Sequence, residues 1–238
     1  MSGHSKWSKV KHQKATTDVV KGREFTKASR AIMLAVREGG GVSDPSHNFH
    51  LRLAIEQAHD VNMPKENIER AIEKGRGVGG GTIEQILYEG YGPYGVAMLI
   101  EAATDNRQRT VAAIKNLLER VGGTITSPGA VSYIFDRSGI VTVPKNAQTY
   151  DTILESALDA GASDVVETED MFEIYSPVPI LSEVKQKLIE KGIAIDYTAI
   201  IMKPKISMEL PDDKRDRVSE VVTQLEDLDD VQNVFTNL

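Results

Sequence analysis

The stretch Gly75-Arg-Gly-Val-Gly-Gly-Gly81 divides this sequence into two parts with different patterns. It is too rich in glycine to form a regular element, because glycine loses the most conformational freedom when it is ordered. We therefore predict a flexible hinge here. Helical periodicity lies before the hinge, and strands that alternate with helices lie after it. The hinge thus predicts a small helical domain followed by a different architecture.

The part before the hinge has the pattern of three short helices. Residues 23–37 place apolar side chains at spacings of three and four, as one face of a helix requires. A second helix is predicted for residues 46–60, and a third begins near Pro64, which suits a first helical turn. Gly75 can supply the left-handed cap of that third helix. Residues 1–75 are therefore predicted to form a basic helical bundle.

The part after the hinge has the pattern of α+β domains. The predicted strands are residues 83–88, 96–103, 124–126, 132–135, 139–143, 164–167, 171–175, 193–202, 205–210 and 230–235, and the predicted helices are 106–121, 149–160, 180–191 and 211–226. Between residues 131 and 203 the order is strand, helix, strand, strand, helix, strand, which is typical of a ferredoxin-like domain. We predict a multidomain protein of α and α+β class. Its domains are a helical one (1–75), an α+β one (76–130 with 204–238) and a ferredoxin-like one (131–203) inserted in the second.

Charge is distributed unevenly along the chain. The formal net charge is −7, yet residues 1–76 carry 14 Lys and Arg against 9 Asp and Glu, and the remainder carries 14 against 26. Within residues 1–37, nine basic side chains are opposed by only two acidic ones. Each cation that neutralises a phosphate releases counterions, so such a segment binds nucleic acid whatever its sequence. A solvated charged surface is the alternative, but the clustering and helical spacing favour binding.

The candidate nucleic-acid contacts lie in this segment and form two groups. Residues 3–22 have little apolar periodicity and are predicted to form an arm. From residue 23 the basic side chains follow one stripe of a helix whose other stripe is apolar. Trp7 can stack on an unpaired base, or it can pin the arm to the helical core. The candidates are Lys6, Trp7, Lys9, Lys11, His12, Lys14, Lys21, Arg23, Lys27 and Arg30.

Other classes of function find no support in the sequence. There is no cysteine, which excludes disulfides and thiolate sites and favours the cytoplasm. No apolar run approaches the roughly 18 residues of a membrane span. His47 and His50 lack a third ligand, so we expect no metal, and the glycine patterns at 75–80 and 90–95 lack the strand and helix of a dinucleotide site. Without a catalytic signature, we predict no enzyme activity and no cofactor.

A second, weaker candidate surface lies in the α+β part. The loop around Tyr91 and Tyr94 is predicted to be tight and to present both tyrosines. Asp105, Asn106 and Arg107 form a polar turn in which the first two residues can cap the helix that follows. Both interpretations stay open: these residues are structural, or they contact a protein partner of the acidic α+β domains.

Several motifs of this chain resemble those of the YebC/PmpR family. In order, they are Gly3-His-Ser-Lys-Trp7, Lys11-His12, Lys14-Ala15, Gly22-Arg-Glu-Phe-Thr-Lys27, Asn62-Met-Pro-Lys-Glu-Asn-Ile-Glu-Arg-Ala-Ile72, Tyr88-Glu-Gly-Tyr-Gly-Pro93, Thr104-Asp-Asn-Arg107, Gly122-Gly123 and Asp230-Val-Gln-Asn-Val-Phe-Thr-Asn237. The resemblance covers nearly the whole chain, and chance does not produce so many long motifs in order. The family also includes the mitochondrial translational activator of cytochrome oxidase.

The resemblance implies a cytoplasmic protein with an N-terminal helical domain and two α+β domains, the third inserted into the second. It implies a transcriptional regulator that binds DNA, although some members act in translation through contact with the ribosome. It supplies no catalytic residue. The sequence separates these functions poorly, because Lys, His and Trp in the arm suit structured RNA as well as DNA. We therefore expect a DNA-binding transcriptional regulator, with a ribosome-associated RNA-binding translation factor as the alternative.

Overall fold

A computed structural model describes residues 18–78, 83–145 and 148–238 of the chain. The described residues form two compact units. One consists of residues 134–206, and the other consists of the residues on both sides of it in sequence, 18–133 and 207–238. None of the helices in the described ranges combines the length and the apolar character that crossing a bilayer requires.

The larger unit begins with three helices around one apolar core. They are α1 (Asp18–Glu38), α2 (Phe49–Asp60) and α3 (Lys65–Gly75). Asn48 fixes the start of α2, because its side-chain oxygen accepts a hydrogen bond from the Leu51 N–H at 3.0 Å. The amide nitrogen of the same side chain donates to the carbonyl of Ala35 at 2.8 Å, which ties the start of α2 to α1. The core that these helices share includes Ile32, Val36, Leu51, Ala58 and Ile68.

The end of α3 differs from the prediction. The left-handed residue is Gly77, with φ of 91°, and not Gly75. The N–H groups of Gly77 and Val78 donate back to the carbonyls of Lys74 and Glu73, which is the Schellman pattern. Gly75 is the last residue of the helix and is buried there. Its lack of a side chain serves packing, because a Cβ atom at Gly75 would lie 2.8 Å from the Cβ of Val36 in α1.

We expect Gly75→Ala to destabilise the larger unit. The added methyl group would also lie 3.0 Å from the carbonyl oxygen of Met33, so α1 and α3 must separate to admit it. Overpacking of this kind costs about 1–3 kcal/mol, which a urea titration of the two proteins measures. Gly22→Ala is the matched control, because a Cβ at Gly22 meets no atom within 4 Å. Equal midpoints for Gly75→Ala and the natural chain would contradict the packing role.

The remainder of the larger unit is a four-stranded antiparallel sheet with two helices. The elements are β1 (Glu84–Tyr91), β2 (Ala97–Thr104), α4 (Arg107–Arg120), β3 (Thr124–Thr126), α7 (Asp212–Glu226) and β8 (Val231–Thr236). The strand order is β3-β1-β2-β8, so the last strand of the chain lies beside β2. Both helices pack on this sheet through one core that includes Met98, Ile100, Ile114, Leu118, Val221, Leu225 and Val234.

A buried carboxylate closes the loop that leads out of this sheet. Glu89 of β1 is 6% exposed, and its carboxylate accepts hydrogen bonds from three backbone N–H groups. The donors are Gly129 at 2.7 Å, Val131 at 2.7 Å and Ser132 at 3.0 Å. Burial raises the pKa of Glu89, but these hydrogen bonds outweigh it, so that the net pKa is lowered. The carboxylate therefore holds the chain in place just before residue 134, where the smaller unit begins.

The smaller unit is a second four-stranded antiparallel sheet with two helices. The elements are β4 (Phe135–Pro144), α5 (Tyr150–Ala160), β5 (Asp164–Glu167), β6 (Met171–Ser176), α6 (Leu181–Glu190) and β7 (Tyr197–Pro204). The strand order is β5-β6-β4-β7. Gly161 ends α5 in the left-handed conformation, with φ of 101°, as its position before a strand predicts.

Four predicted strands are wrong in detail. The pattern predicts two strands at residues 132–135 and 139–143, whereas residues 132–134 form a 3-10 turn and β4 runs without a break from Phe135 to Pro144. Residues 205–210 form no strand. Their alternating apolar residues, Met208 and Leu210, both pack against the core of the larger unit. The strand expected from residue 193 begins only at 197.

Candidate nucleic-acid interface

The structure describes four of the ten residues expected to contact nucleic acid. They are Lys21, Arg23, Lys27 and Arg30, all in α1. The other six, Lys6, Trp7, Lys9, Lys11, His12 and Lys14, lie outside the described residues. Spacings of four and three place Arg23, Lys27 and Arg30 on one face of α1, as expected.

This face of α1 contacts the acidic loop of residues 226–230, which joins α7 to β8. The ammonium group of Lys27 donates a hydrogen bond to the carbonyl oxygen of Glu226, and the guanidinium of Arg30 donates to that of Asp229. Glu226 is the last residue of α7. The carbonyl groups at a helix C-terminus carry partial negative charge and attract cations, which explains why Lys27 lies there.

Asp230 is the centre of the strongest part of this contact. Its side chain is 9% exposed and lies 2.9 Å from a guanidinium nitrogen of Arg30. Arg109 of α4 donates to the same carboxylate from Nε at 3.2 Å and from Nη2 at 3.0 Å. The hydroxyl groups of Thr110 and Thr104 donate to it at 2.7 Å and 3.3 Å. One buried carboxylate thus joins α1, α4 and the end of β2, and Arg30 has its charge neutralised within the chain.

Two further cations of α1, Arg23 and Lys21, are in more open positions, and a third, Arg37, is half-buried. Arg23 lies 3.9 Å from the carboxylate of Asp227, and both side chains are about half exposed. An ion pair of this kind contributes at most about 1 kcal/mol, so phosphate can compete for Arg23. Lys21 is exposed. Arg37 donates to the carbonyl of Ile83 at 2.7 Å and so connects the end of α1 to the chain just before β1.

A groove lies between α1 and α3, and we call it the α1–α3 groove. It has a volume of about 380 Å³. Residues Phe25, Ser29 and Met33 line it from α1, and Asn67, Arg70 and Lys74 line it from α3. Arg70 and Lys74 are not among the contacts predicted from the sequence, although their spacing of four within a predicted helix was a usable signal.

The second candidate surface is largely occupied by contacts within the chain. Asn106 caps α4 by accepting a hydrogen bond from the Arg109 N–H at 3.0 Å, and Asp105 pairs with Arg109 at 2.7 Å. Arg107 binds Glu84 through two hydrogen bonds of 2.5 Å and 2.6 Å, which lower the pKa of the Glu84 carboxyl. Each of these side chains therefore has a structural partner.

The two tyrosines of that surface differ in exposure. Tyr94 is 47% exposed and has a left-handed φ of 62° between Pro93 and Gly95. The ammonium of Lys214 lies 5.3 Å from the centre of its ring, within the range of a cation–π contact. Tyr91 is half-buried at the end of β1. Within residues 18–78, 83–145 and 148–238, no three His, Cys, Asp or Glu side chains cluster closely enough to hold a metal ion.

Comparison with known proteins identifies the family. The model described as "TACO1/YebC protein N-terminal domain" matches residues 5–78, and the model described as "TACO1/YebC second and third domain" matches residues 83–238. The chain belongs to the TACO1/YebC family. The resemblance read from the motifs is therefore confirmed.

Relatives of this TACO1/YebC chain match along its full length. A protein from Chloroflexus aggregans is 46% identical over 100% of this chain and 95% of its own, and one from Thermoanaerobacter pseudethanolicus is 42% identical over 100% and 97%. Both carry the name "Probable transcriptional regulatory protein". The crystal structure of the conserved hypothetical protein Aq1575 from Aquifex aeolicus is similar with a TM-score of 0.84 and 41% identity. That similarity covers 96% of this chain and 94% of the Aquifex chain.

Proposed function

We propose that this chain is a non-enzymatic, cytoplasmic transcriptional regulator that binds DNA through its basic N-terminal arm and α1. The observation that carries the proposal is the segregation of charge, with nine cations against two carboxylates in residues 1–37 of a chain whose net charge is −7. The names of the full-length relatives support the regulatory role. Counterion release supplies the affinity, while the acidic remainder limits binding by the rest of the surface.

The four candidate residues on α1 differ in how easily they can contact phosphate. Lys21 and Arg23 are accessible, so we assign direct phosphate contacts to them together with the lysines of the arm. Lys27 and Arg30 already bind the 226–230 loop, and they contact phosphate only if it replaces those partners. Arg30 is therefore the residue at which binding and the internal contact compete most directly, because its buried pairing with Asp230 has to break.

The arm assignment predicts a change in salt dependence. We expect the triple variant Lys9→Ala, Lys11→Ala, Lys14→Ala to reduce the slope of log K against log salt concentration on duplex DNA by about 0.9 for each true phosphate contact. Fluorescence anisotropy over a series of salt concentrations measures this slope. The matched control changes Lys115, Lys191 and Lys205, whose ammonium groups are in ion pairs with carboxylates, to alanine. An unchanged slope in the arm variant would refute the assignment.

A ribosome-associated RNA-binding translation factor is the second candidate, and one observation favours it. A protein that recognises DNA in the major groove presents several side chains of one helix to the base edges. On α1, however, Lys27 and Arg30 are bound to the 226–230 loop, so only two of the four candidate contacts described there are open to DNA. Contacts to an RNA surface need no such helix. Sedimentation of cell extracts at near-physiological salt separates the two functions. Persistent migration with ribosomes would contradict the proposal of a transcriptional regulator, and migration with the nucleoid would support it.

We also infer three domains with the boundaries 1–75, 76–130 with 204–238, and 131–203. The order β5-β6-β4-β7, with one helix after β4 and one after β6, supports a ferredoxin-like fold for the inserted domain. The acidic α+β domains are the place where a protein partner of the regulator would bind, since they carry most of the excess negative charge. Of the two candidate tyrosines in these domains, Tyr94 is the more exposed.

A further inference from the structure

The charge of the α1–α3 groove is unusual for this acidic chain. Of the eleven residues that line it, three are cations and none is acidic. Arg30 is paired with Asp230, which leaves Arg70 and Lys74 on the α3 side. Both are exposed, and neither has an ion-pair partner among the residues that the structure describes.

Two neighbouring cations on the same helix behave differently. Lys65 pairs with Glu69 at 3.6 Å, and Arg76 pairs with Glu73 at 3.1 Å. Carboxylates are thus available along α3, yet the two cations beside the groove are not neutralised by them. The groove therefore has a positive edge that complements an anion of about one or two charges.

The lining of the groove combines apolar side chains with polar ones. Met33 and Met63 are 7% and 5% exposed, and the half-buried ring of Phe25 lies beside them. Ser29 and Asn67 add a hydroxyl and an amide, which can donate and accept hydrogen bonds. A volume of about 380 Å³ lies within the range of small-molecule sites, about 300–1,000 Å³. Such a site suits a flat, apolar group with polar edges that is attached to an anion.

We propose that the α1–α3 groove binds one unpaired nucleotide, with the base against Phe25 and the phosphate at Arg70 and Lys74. A nucleobase is flat, stacks on aromatic rings and presents hydrogen-bonding edges, and its phosphate supplies the anion. The inference rests on the proposed nucleic-acid binding and deepens it, because it adds a site for a single-stranded segment to the sequence-independent contacts of the arm. The groove distinguishes unpaired from paired strands, since a base within a duplex cannot enter it.

The test uses the full chain and a short single-stranded oligodeoxynucleotide in which one base is 2-aminopurine. Anisotropy reports affinity, and quenching of the 2-aminopurine emission reports stacking of the base. We expect the double variant Arg70→Gln, Lys74→Gln to lower the affinity about tenfold and to abolish the quenching. It should also reduce the salt slope by about 0.7 for the phosphate that is lost. Lys65→Gln, Arg76→Gln is the matched control on the same helix and should change neither signal.

A second variant separates the base from the phosphate. Ser29→Leu fills part of the groove without changing its charge, so we expect it to abolish the quenching while the salt slope stays as in the natural chain. Both double variants should retain the thermal midpoint of the natural chain, because all four side chains are exposed. Adenosine monophosphate is added as a competitor. If adenosine monophosphate displaces the oligodeoxynucleotide only when it is in large excess, the result supports a site for a nucleotide within a strand. If it displaces the oligodeoxynucleotide at a concentration similar to that of the oligodeoxynucleotide, the groove is a site for free mononucleotides and the proposal is overturned.

The outcomes separate this inference from the proposed function. Binding with normal affinity and normal quenching in Arg70→Gln, Lys74→Gln would overturn the groove site and leave the arm as the interface. Equal losses in the test and control variants would show a general effect of charge on α3 and would also overturn it. If the natural chain binds neither duplex nor single strand, the proposed function itself fails, and the groove inference that rests on it fails too.

Discussion

Replacing Asp230 with alanine is expected to destabilise the larger unit strongly, because groups from three elements depend on its carboxylate. The carboxylate is 9% exposed and accepts hydrogen bonds from Arg109, Thr104 and Thr110 besides its ion pair with Arg30. Its removal leaves Arg30 without a carboxylate partner and leaves Arg109 with only the exposed carboxylate of Asp105 among the described residues. Breaking a buried pair from one side costs about 3–5 kcal/mol, and the half-exposed Arg109 places this case near 3 kcal/mol. Calorimetry should show a midpoint lower by roughly 6–12 °C.

The control for this change removes another carboxylate that pairs with Arg109. Asp105 also pairs with Arg109, at 2.7 Å, but 59% of its side chain is exposed. We therefore expect Asp105→Ala to change the free energy of unfolding by less than about 1 kcal/mol. Asp230→Asn keeps the shape of the side chain and should cause an intermediate loss. If the free energy of unfolding of Asp230→Ala lies within about 1 kcal/mol of the natural chain's, the 226–230 loop does not anchor α1.

Replacing Glu89 with glutamine should have the second largest effect, and the effect should depend on pH. Glutamine turns an N–H donor toward backbone N–H groups of Gly129, Val131 and Ser132 that need acceptors. We expect a loss of about 2–3 kcal/mol at neutral pH, measured by urea titration. The carboxylate has a pKa below its ordinary value of 4.5 in the folded chain. Its contribution to stability is therefore fully present above about pH 4.5 and is lost as the pH falls through the folded-state pKa.

The pH dependence gives this prediction a specific signature. The difference in stability between the natural chain and Glu89→Gln should shrink as the pH falls below about 4.5. The carboxyl group of the unfolded chain binds its proton first, and that of the folded chain becomes neutral only below its lowered pKa. Glu119→Gln is the control, since Glu119 is exposed and its ion-pair partner among the described residues is Lys115 on the same helix. A difference that stays constant down to about pH 3 would contradict the carboxylate's role, because protonation would then change nothing.

The sequence predicts the elements of this fold better than their ends. Helical periodicity and the cap at Asn106 locate α4, and the glycine at 161 locates the end of α5. The pattern failed where alternation arose from packing alone, as at Met208 and Leu210, which line a core without a neighbouring strand. It also misassigned Gly75, because a close contact between two helices and a left-handed turn both require glycine. The left-handed φ of Gly77 and the close approach of Gly75 to Val36 separate these two reasons, and neither can be read from the sequence.

For the candidate interface, the sequence predicts where the basic side chains lie but not which groups they contact. Composition and spacing place Arg23, Lys27 and Arg30 on one stripe, and the structure has them there. The partners of that stripe could not be predicted, because the 226–230 loop lies about 200 residues away in sequence and nothing local marks it as a ligand for α1. A count of charges treats every basic side chain as able to contact phosphate. In the folded chain, ion pairs with acidic side chains determine which basic side chains can still do so.

The long separation in sequence between Arg30 and Asp230 has a consequence for how the protein folds during synthesis. Translation proceeds from the N-terminus, and N-terminal segments fold first. The three helices can therefore assemble while β8 is still being synthesised, but Arg30 can acquire its buried partner only after Asp230 has been made, about 200 residues later. Until then, the guanidinium of Arg30 lacks the carboxylate that neutralises it in the folded unit. The pairing of Arg30 with Asp230 is thus a late event in synthesis, and it comes well after the helix that carries Arg30 has been made.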